Sequence, residues 1–333
     1  MPCVGNSCIF AGSMEQQLSI YFAPFQGITT KVFREVYTTH FGGIDKFFTP
    51  YFSNIAIGHP LPALKMKALA ATHENGVEIV PQILSKDAAE IISFANSCHE
   101  LGFKELNWNL GCPYPQVARK KRGSGMLPYP EMVDEILAEV MKSMSVRFSV
   151  KCRLGYFSAE EMQALILVFN RYPISELTIH ARIGKQLYSG KPDYDSFAAA
   201  IEQLQMPVVY NGDIFSVEDY ETFSTKVSAI NQLMIGRGLL TNPFLAMQIK
   251  GIAIPGERLS ALKDFMENLY LAYRQDKGDN LSILNNMKEL WVYMMNAFTE
   301  PVAVFRKIKK AKTFQDYEAG INDIFETMQL KTN

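Results

Sequence analysis

Residues 206–240 read MPVVYNGDIFSVEDYETFSTKVSAINQLMIGRGLL. Two short β-rich runs, MPVVY at 206–210 and INQLMI at 230–235, each end in a glycine-bearing turn (YNGDI, IGRGLL) that leads into a helix. Strands bounded by turn residues and separated by helical stretches are the mark of parallel βα units. The unit recurs outward from this stretch, with apolar runs at 19–23, 46–50, 77–83, 104–109, 146–151 and 175–180. The clearest helical pattern is PEMVDEILAEVMKSM at 130–144, where Met132, Val133, Ile136, Leu137, Val140, Met141 and Met144 share one face. Eight strands alternating with helices over about 230 residues predict an α/β fold, a closed (β/α)8 TIM barrel. A doubly wound sheet is the competing reading, but no GxGxxG follows the first strand. The β signal stops after residue 257, and residues 258–333 predict a small C-terminal helical domain with Leu259, Leu262, Phe265, Leu269 and Tyr270 on one apolar face. The barrel is expected over 15–250, and residues 1–14 read as a flexible leader.

The chain has 333 residues, enough to bury a large core. Lysine and arginine (33) nearly balance aspartate and glutamate (34), so a polyanionic partner must be met by a local patch. Five cysteines, Cys3, Cys8, Cys98, Cys112 and Cys152, include no CxxC pair. In a chain of this size they read as free thiols in a reducing compartment, the cytoplasm. No metal site is expected, no apolar run is long enough to span a membrane, and no stable protein partner is indicated.

Polar residues recur where the strands end. Gln82 closes the third strand, Asn109 the fourth, Lys151 the fifth and His180 the sixth. Asn211 follows the seventh, and Gly236, Arg237 and Gly238 follow the eighth. The C-terminal ends of barrel strands are where such folds build their sites. The turns after the last two strands can bring backbone N–H groups close to an anion, the usual phosphate position in this fold. Lys151 at that depth suits an electron-rich ring that gains negative charge on reduction, such as a flavin. Cys112, flanked by Gly111 and Pro113, reads as a loop thiol, whereas Cys98 and Cys152 read as small buried apolar residues.

An ordered series carries a family resemblance: APFQGIT after strand one, PQIL at strand three, NLGCP followed by GSGML after strand four, and VKCRLG at strand five. It continues with IHAR and YSG after strand six, then VVYNGDI and LMIGRGLLTNPF. Over about residues 19–245 the series resembles the tRNA-dihydrouridine synthases. The resemblance implies an FMN-dependent barrel that reduces uridine in tRNA, with NADPH or NADH as transient reductant. Hydride delivered to C6 of uracil leaves an enolate that needs a proton at C5. A thiol of ordinary pKa is mostly protonated at neutral pH and is a competent acid, and Cys112 would be that acid. By the same resemblance Pro24 and Phe25 would contact the flavin ring, and Gln82 and Lys151 would bond its polar edge. Asn109 would lie beside uracil and flavin, and His180 would approach the flavin. Asn211, Gly212, Asp213, Gly236 and Arg237 would surround the phosphate. Arg153 and Arg182 would serve the substrate or the loop structure.

Arg119, Lys120, Lys121 and Arg122 follow Cys112 closely, and Arg306, Lys307, Lys309, Lys310 and Lys312 form a second basic cluster in the helical tail. Both are expected to grip tRNA phosphates around a flipped base. The chain departs from the family pattern at Thr30, Pro50, the PYPQV segment (113–117) and Ile183. None of these touches the flavin residues or the acid; they bear on fine RNA contacts and target position. Two other readings stay open. A dihydroorotate-dehydrogenase-like flavin barrel would act on a small molecule and need no basic rim, and a non-catalytic tRNA-binding protein would have no need of Cys112.

Overall fold

Side-chain alternation along each strand decides what enters the barrel. The computed structural model describes residues 18–69 and 72–331; the leader expected at 1–14, with Cys3 and Cys8, lies outside them. The strands are β1 (Ser19–Phe22), β2 (Lys46–Phe48), β3 (77–83), β4 (Glu105–Leu110), β5 (Arg147–Gly155), β6 (Leu177–Ile183), β7 (Val208–Asn211) and β8 (Gln232–Ile235). All neighbours in this ring are parallel, β1 pairs with both β2 and β8, and a two-residue strand, His73–Glu74, lies antiparallel beside Val77–Val80. β3 hands over at Pro81: Val77–Val80 follows β2, and Gln82–Ile83 follows β4. Proline has no N–H to give, but its carbonyl accepts from Asn107 N at 2.9 Å, so the ring closes in chain order.

Outward residues such as Ile20, Phe22, Phe47, Trp108, Val150, Ile179 and Ile235 join the main hydrophobic cluster beneath the helices. The interior divides into two halves. Tyr21, Ala23, Phe48, Val80, Val209 and Met234 form an apolar half under β1, β2, β3, β7 and β8. The alternate positions of β4, β5 and β6 are polar instead: Glu105, Asn107, Asn109, Ser149, Lys151, Arg153, Thr178 and His180. Each strand there carries an aliphatic or aromatic outer face and a hydrogen-bonding inner one.

β5 and β6 run beyond their predicted ends, because pairing continues from Arg153–His180 to Gly155–Ile183 across a register shift. Lys151 and His180 therefore lie within strands, not at their ends. Helices Lys31–His40, Ala88–Glu100, Tyr194–Ile201 and Val217–Lys226 begin at Thr30, Asp87, Asp193 and Ser216, whose side chains accept first-turn N–H groups.

Beyond the barrel, helices Arg258–Lys277, Ser282–Met294, Pro301–Lys309 and Phe314–Thr327 make up the tail. Leu262, Phe265, Leu269 and Tyr270 are buried as their spacing predicts, while Leu259 is half-buried at the edge. Phe265 meets Phe33, Tyr37 and Phe41 with ring centroids 6.1, 6.1 and 5.0 Å apart, so tail and barrel share one core.

Candidate active site

A cavity of about 310 Å³ opens at the C-terminal end of the barrel. Pro24, Phe25, Gln82, Asn109, Cys112, Lys151, Arg153, His180, Asn211, Gly212, Asp213, Gly236 and Arg237 all line it. The residues expected around a flavin and the expected acid thus share one wall, though they come from seven different strands or their loops.

The loop after β4 is built around Cys112. Asn109 Oδ1 accepts from Gly111 N at 3.0 Å and Cys112 N at 2.9 Å. The Cys112 carbonyl accepts from Ser124 N at 3.0 Å and from its hydroxyl at 3.1 Å. Gly123, at φ 55°, is where this return segment crosses: a side chain there would sit 2.6 Å from the Cys112 oxygen. Burial raises the Cys112 thiol pKa above its ordinary value, against the opposing pull of a Tyr114 backbone hydrogen bond, Arg153 and Lys151. The thiol holds its proton at neutral pH.

Cations gather in the same cavity. Lys151 is pushed down to about 8 by burial and then by Arg153, and its Nζ donates to Asn211 Oδ1 at 2.9 Å. Asn211 Nδ2 donates to Met234 O at 2.6 Å, so this side chain is engaged in fixing the lysine. Asp213 receives Arg182 through two bonds of 3.1 and 2.5 Å and Arg237 at 2.5 Å. Burial pushes the Asp213 carboxyl up, but the Arg182 hydrogen bonds and the charges of Arg182 and Arg237 outweigh it and hold the pKa below the usual range. Asp213 therefore organises the guanidinium groups instead of facing a phosphate itself. Arg182 is fully buried, and it also donates to the Ser189 and Gly190 carbonyls. It is not among the residues that line the cavity, and these bonds tie it to the loop that follows β6. Arg153 lines the cavity, and it bridges loops by donating to Gly111 O and Ile183 O, each at 3.0 Å.

His180 is buried among these charges. Burial, then Arg153, Lys151, Arg182 and Arg237, hold its pKa well below the ordinary histidine value. Its Nε2 faces Arg182 Nη1 at 3.5 Å, which puts the remaining proton on Nδ1, a buried atom without a partner among the described residues. A cation-rich wall with an unanswered donor fits an anionic, acceptor-rich group such as FMN. Gly212 and Gly238 admit no side chain for a different reason: one would collide with the Tyr210 hydroxyl, the other with the Ile214 carbonyl. Close packing of the turns upon themselves needs these glycines.

Outside the cavity, Arg119, Lys120 and Lys121 are exposed and Arg122 is half-buried; no described acidic residue pairs with any of the four. Lys121 Nζ lies 3.9 Å from the Tyr129 ring centre. In the tail, Arg306, Lys309, Lys310 and Lys312 are exposed, while Lys307 pairs with Asp323.

Several lining residues escape the strand-end reading. Tyr51, Tyr114, Tyr188 and Phe215 come from loops, and Glu289, Val292 and Tyr293 from helix Ser282–Met294. Tyr293 meets Phe25 edge-on at 5.6 Å. Tyr188 lies under Arg153 and Arg237, at 5.5 and 4.7 Å.

A family model described as dihydrouridine synthase matches residues 21–332. The chain is 31% identical over 314 residues to tRNA-dihydrouridine synthase B of Pasteurella multocida (strain Pm70), covering 91% of each chain. It is 25% identical over 322 residues to tRNA-dihydrouridine(16) synthase of Neisseria meningitidis serogroup A, covering 92% of this chain and 95% of that one. Among solved structures, morphinone reductase superposes with a TM-score of 0.51 at 9% identity over 73% of this chain and 88% of that chain. That likeness is one of fold alone.

Proposed function

The chain belongs to the dihydrouridine synthase family, and from that premise we propose that it reduces the C5=C6 bond of uridines in tRNA, using FMN with NADPH or NADH as the source of electrons. When bound, the reduced flavin supplies the hydride that uracil C6 accepts. Pro24 and Phe25 would border the flavin ring, Gln82 and Lys151 its polar edge, and Asn211, Gly212, Gly236 and Arg237 the phosphate end, with Asp213 fixing Arg237. His180 offers Nδ1–H to the same group. Lys151 and Arg153 would stabilise negative charge on the substrate while Cys112 gives its proton to C5.

The observation that carries this reading is the sharing of one cavity by a protonated loop thiol, a buried lysine and a neutral histidine. Arg119, Lys120, Lys121 and Arg122 in the segment that follows Cys112, and Arg306, Lys309 and Lys310 in the tail, would hold the tRNA backbone. The free thiols Cys98, Cys112 and Cys152 suit the reducing cytoplasm.

The test is direct. Unmodified tRNA transcript, NADPH and the flavin-loaded protein are incubated, and the digested nucleosides are examined by mass spectrometry. Dihydrouridine that depends on protein and NADPH is the expected product. Consumption of orotate with no dihydrouridine would make this a small-molecule reductase instead.

A further inference from the structure

A line of hydrogen bonds crosses the polar half of the barrel and ends on the Cys112 loop. At its far end Ser149 Oγ donates to Glu105 Oε1 at 2.7 Å, and Lys46 Nζ donates to the other Glu105 oxygen at 3.0 Å. Asn107 Nδ2 donates to Ser149 Oγ at 2.9 Å. Gln82 Nε2 donates to Asn107 Oδ1, and Asn109 Nδ2 to Gln82 Oε1, each at 2.7 Å. Asn109 Oδ1 then takes the N–H groups of Gly111 and Cys112. Every side chain from Glu105 to Asn109 in this line is buried.

The direction of the line is fixed from both ends. A carboxylate held by Lys46 only accepts, so the Ser149 hydroxyl must give its hydrogen to Glu105 and turn a lone pair to Asn107. Asn107 must then face Ser149 with its NH2 and Gln82 with its oxygen. At the other end, the backbone N–H groups of Gly111 and Cys112 only donate, so Asn109 must turn its oxygen to them and its NH2 to Gln82. Both ends demand the same orientation of all three amides. Reversing any one would set donor against donor on one side and acceptor against acceptor on the other.

We propose that Glu105, Ser149 and Asn107 are positioning residues: they fix how the Gln82 and Asn109 amides face the cavity, and through Asn109 they hold Cys112 where it delivers its proton. The proposal rests on the assignment of Cys112 as the acid. Glu105, Asn107 and Ser149 lie outside the cavity lining and act only through the two amides.

The test compares Ser149→Ala with Ser149→Thr, in the flavin-loaded protein, each with Cys112 intact and with Cys112→Ala. The readout is the single-turnover rate at which tRNA reoxidises the reduced flavin. With Cys112 intact, Ser149→Ala is expected to slow that step, compared per bound flavin, by about 10- to 100-fold, and Ser149→Thr to restore it. In the Cys112→Ala background Ser149→Ala should add no further loss. Equal slowing in both backgrounds would show a general structural effect and overturn the proposal. Alkylation of Cys112 by iodoacetamide, followed at that peptide by mass spectrometry, tests the same point without tRNA. It should be several-fold faster in Ser149→Ala than in the parent or in Ser149→Thr, and an unchanged rate overturns the proposal. Should the parent's flavin not respond to tRNA, the functional reading falls while the alkylation comparison still judges the line of bonds. If Ser149→Ala does not accumulate, Glu105→Gln carries the same comparison, because a neutral amide there can donate to Ser149 and permit the reversed order.

Discussion

Cys112 keeps its proton because burial outweighs the cations around it, and that balance is what an acid at C5 requires. Replacing it by alanine removes the proposed proton donor without touching the cation-rich lining. Cys112→Ala should therefore retain bound flavin and its reduction by NADPH, while tRNA reduction falls by about 10²- to 10⁴-fold, as measured by single-turnover reoxidation. His180 gives a second test through pH. Folded His180 remains neutral well below its ordinary pKa, whereas the unfolded chain takes up a proton near pH 6.5. Below pH 6.5 the unfolded state binds more protons, so this residue makes stability fall as pH falls. His180→Gln removes that loss. Between pH 6.5 and the folded value, the variant should gain on the parent by about 1.4 kcal/mol per pH unit of acidification. Urea unfolding of the flavin-free proteins at two pH values measures it, and parallel curves would mean that His180 is protonated in the fold. Residue types at strand ends were legible because the barrel has a functional end. Orientation was not: nothing in the sequence says that Asp213 also bonds Arg182 and Arg237, or that Asn211 also accepts from Lys151.

At the scale of elements, ELNWNL at 105–110 shows what pattern can and cannot tell. Its period of two is plain, and Leu106, Trp108 and Leu110 go outward as expected. That Glu105 and Asn107 share the inner face with Asn109 follows from the same period, but their partners Ser149 and Gln82 lie on other strands, 42 and 25 residues away from Asn107. Helix Ser282–Met294 was opaque for a related reason. Its buried stripe of Met287, Leu290, Trp291 and Met294 reads as core, and nothing local says that Glu289, Val292 and Tyr293 border the cavity. The helix is anchored there by Asn286, which donates to Gly27 O at 3.2 Å, and the neighbouring tail helix by Tyr273, whose hydroxyl meets that of Thr30 at 2.9 Å. Tail and barrel should consequently unfold together. Phe265→Ala should cost about 3–5 kcal/mol in one cooperative transition that also releases flavin. Two separated transitions in thermal unfolding would contradict the shared core.

For the whole molecule, net charge is close to zero, so attraction to tRNA must come from where the cations are placed. The exposed run beside Cys112 makes no described ion pair, while the tail cluster has one lysine already paired with Asp323. Neutralising Lys120, Lys121 and Arg122 should weaken tRNA binding and lower the slope of log affinity against log salt by about 2 to 3, measured by titration at several salt concentrations. An unchanged slope would remove this run from the interface. The central claim is that electrons stored in this site pass to uridine in tRNA with Cys112 as the acid. The most direct measurement is anaerobic: the protein-bound flavin is reduced, mixed with unmodified tRNA, and followed by visible absorbance. Rapid return of the oxidised spectrum is expected with tRNA, no return with orotate or fumarate, and a large slowing in Cys112→Ala. Reduced flavin that tRNA leaves untouched would contradict it.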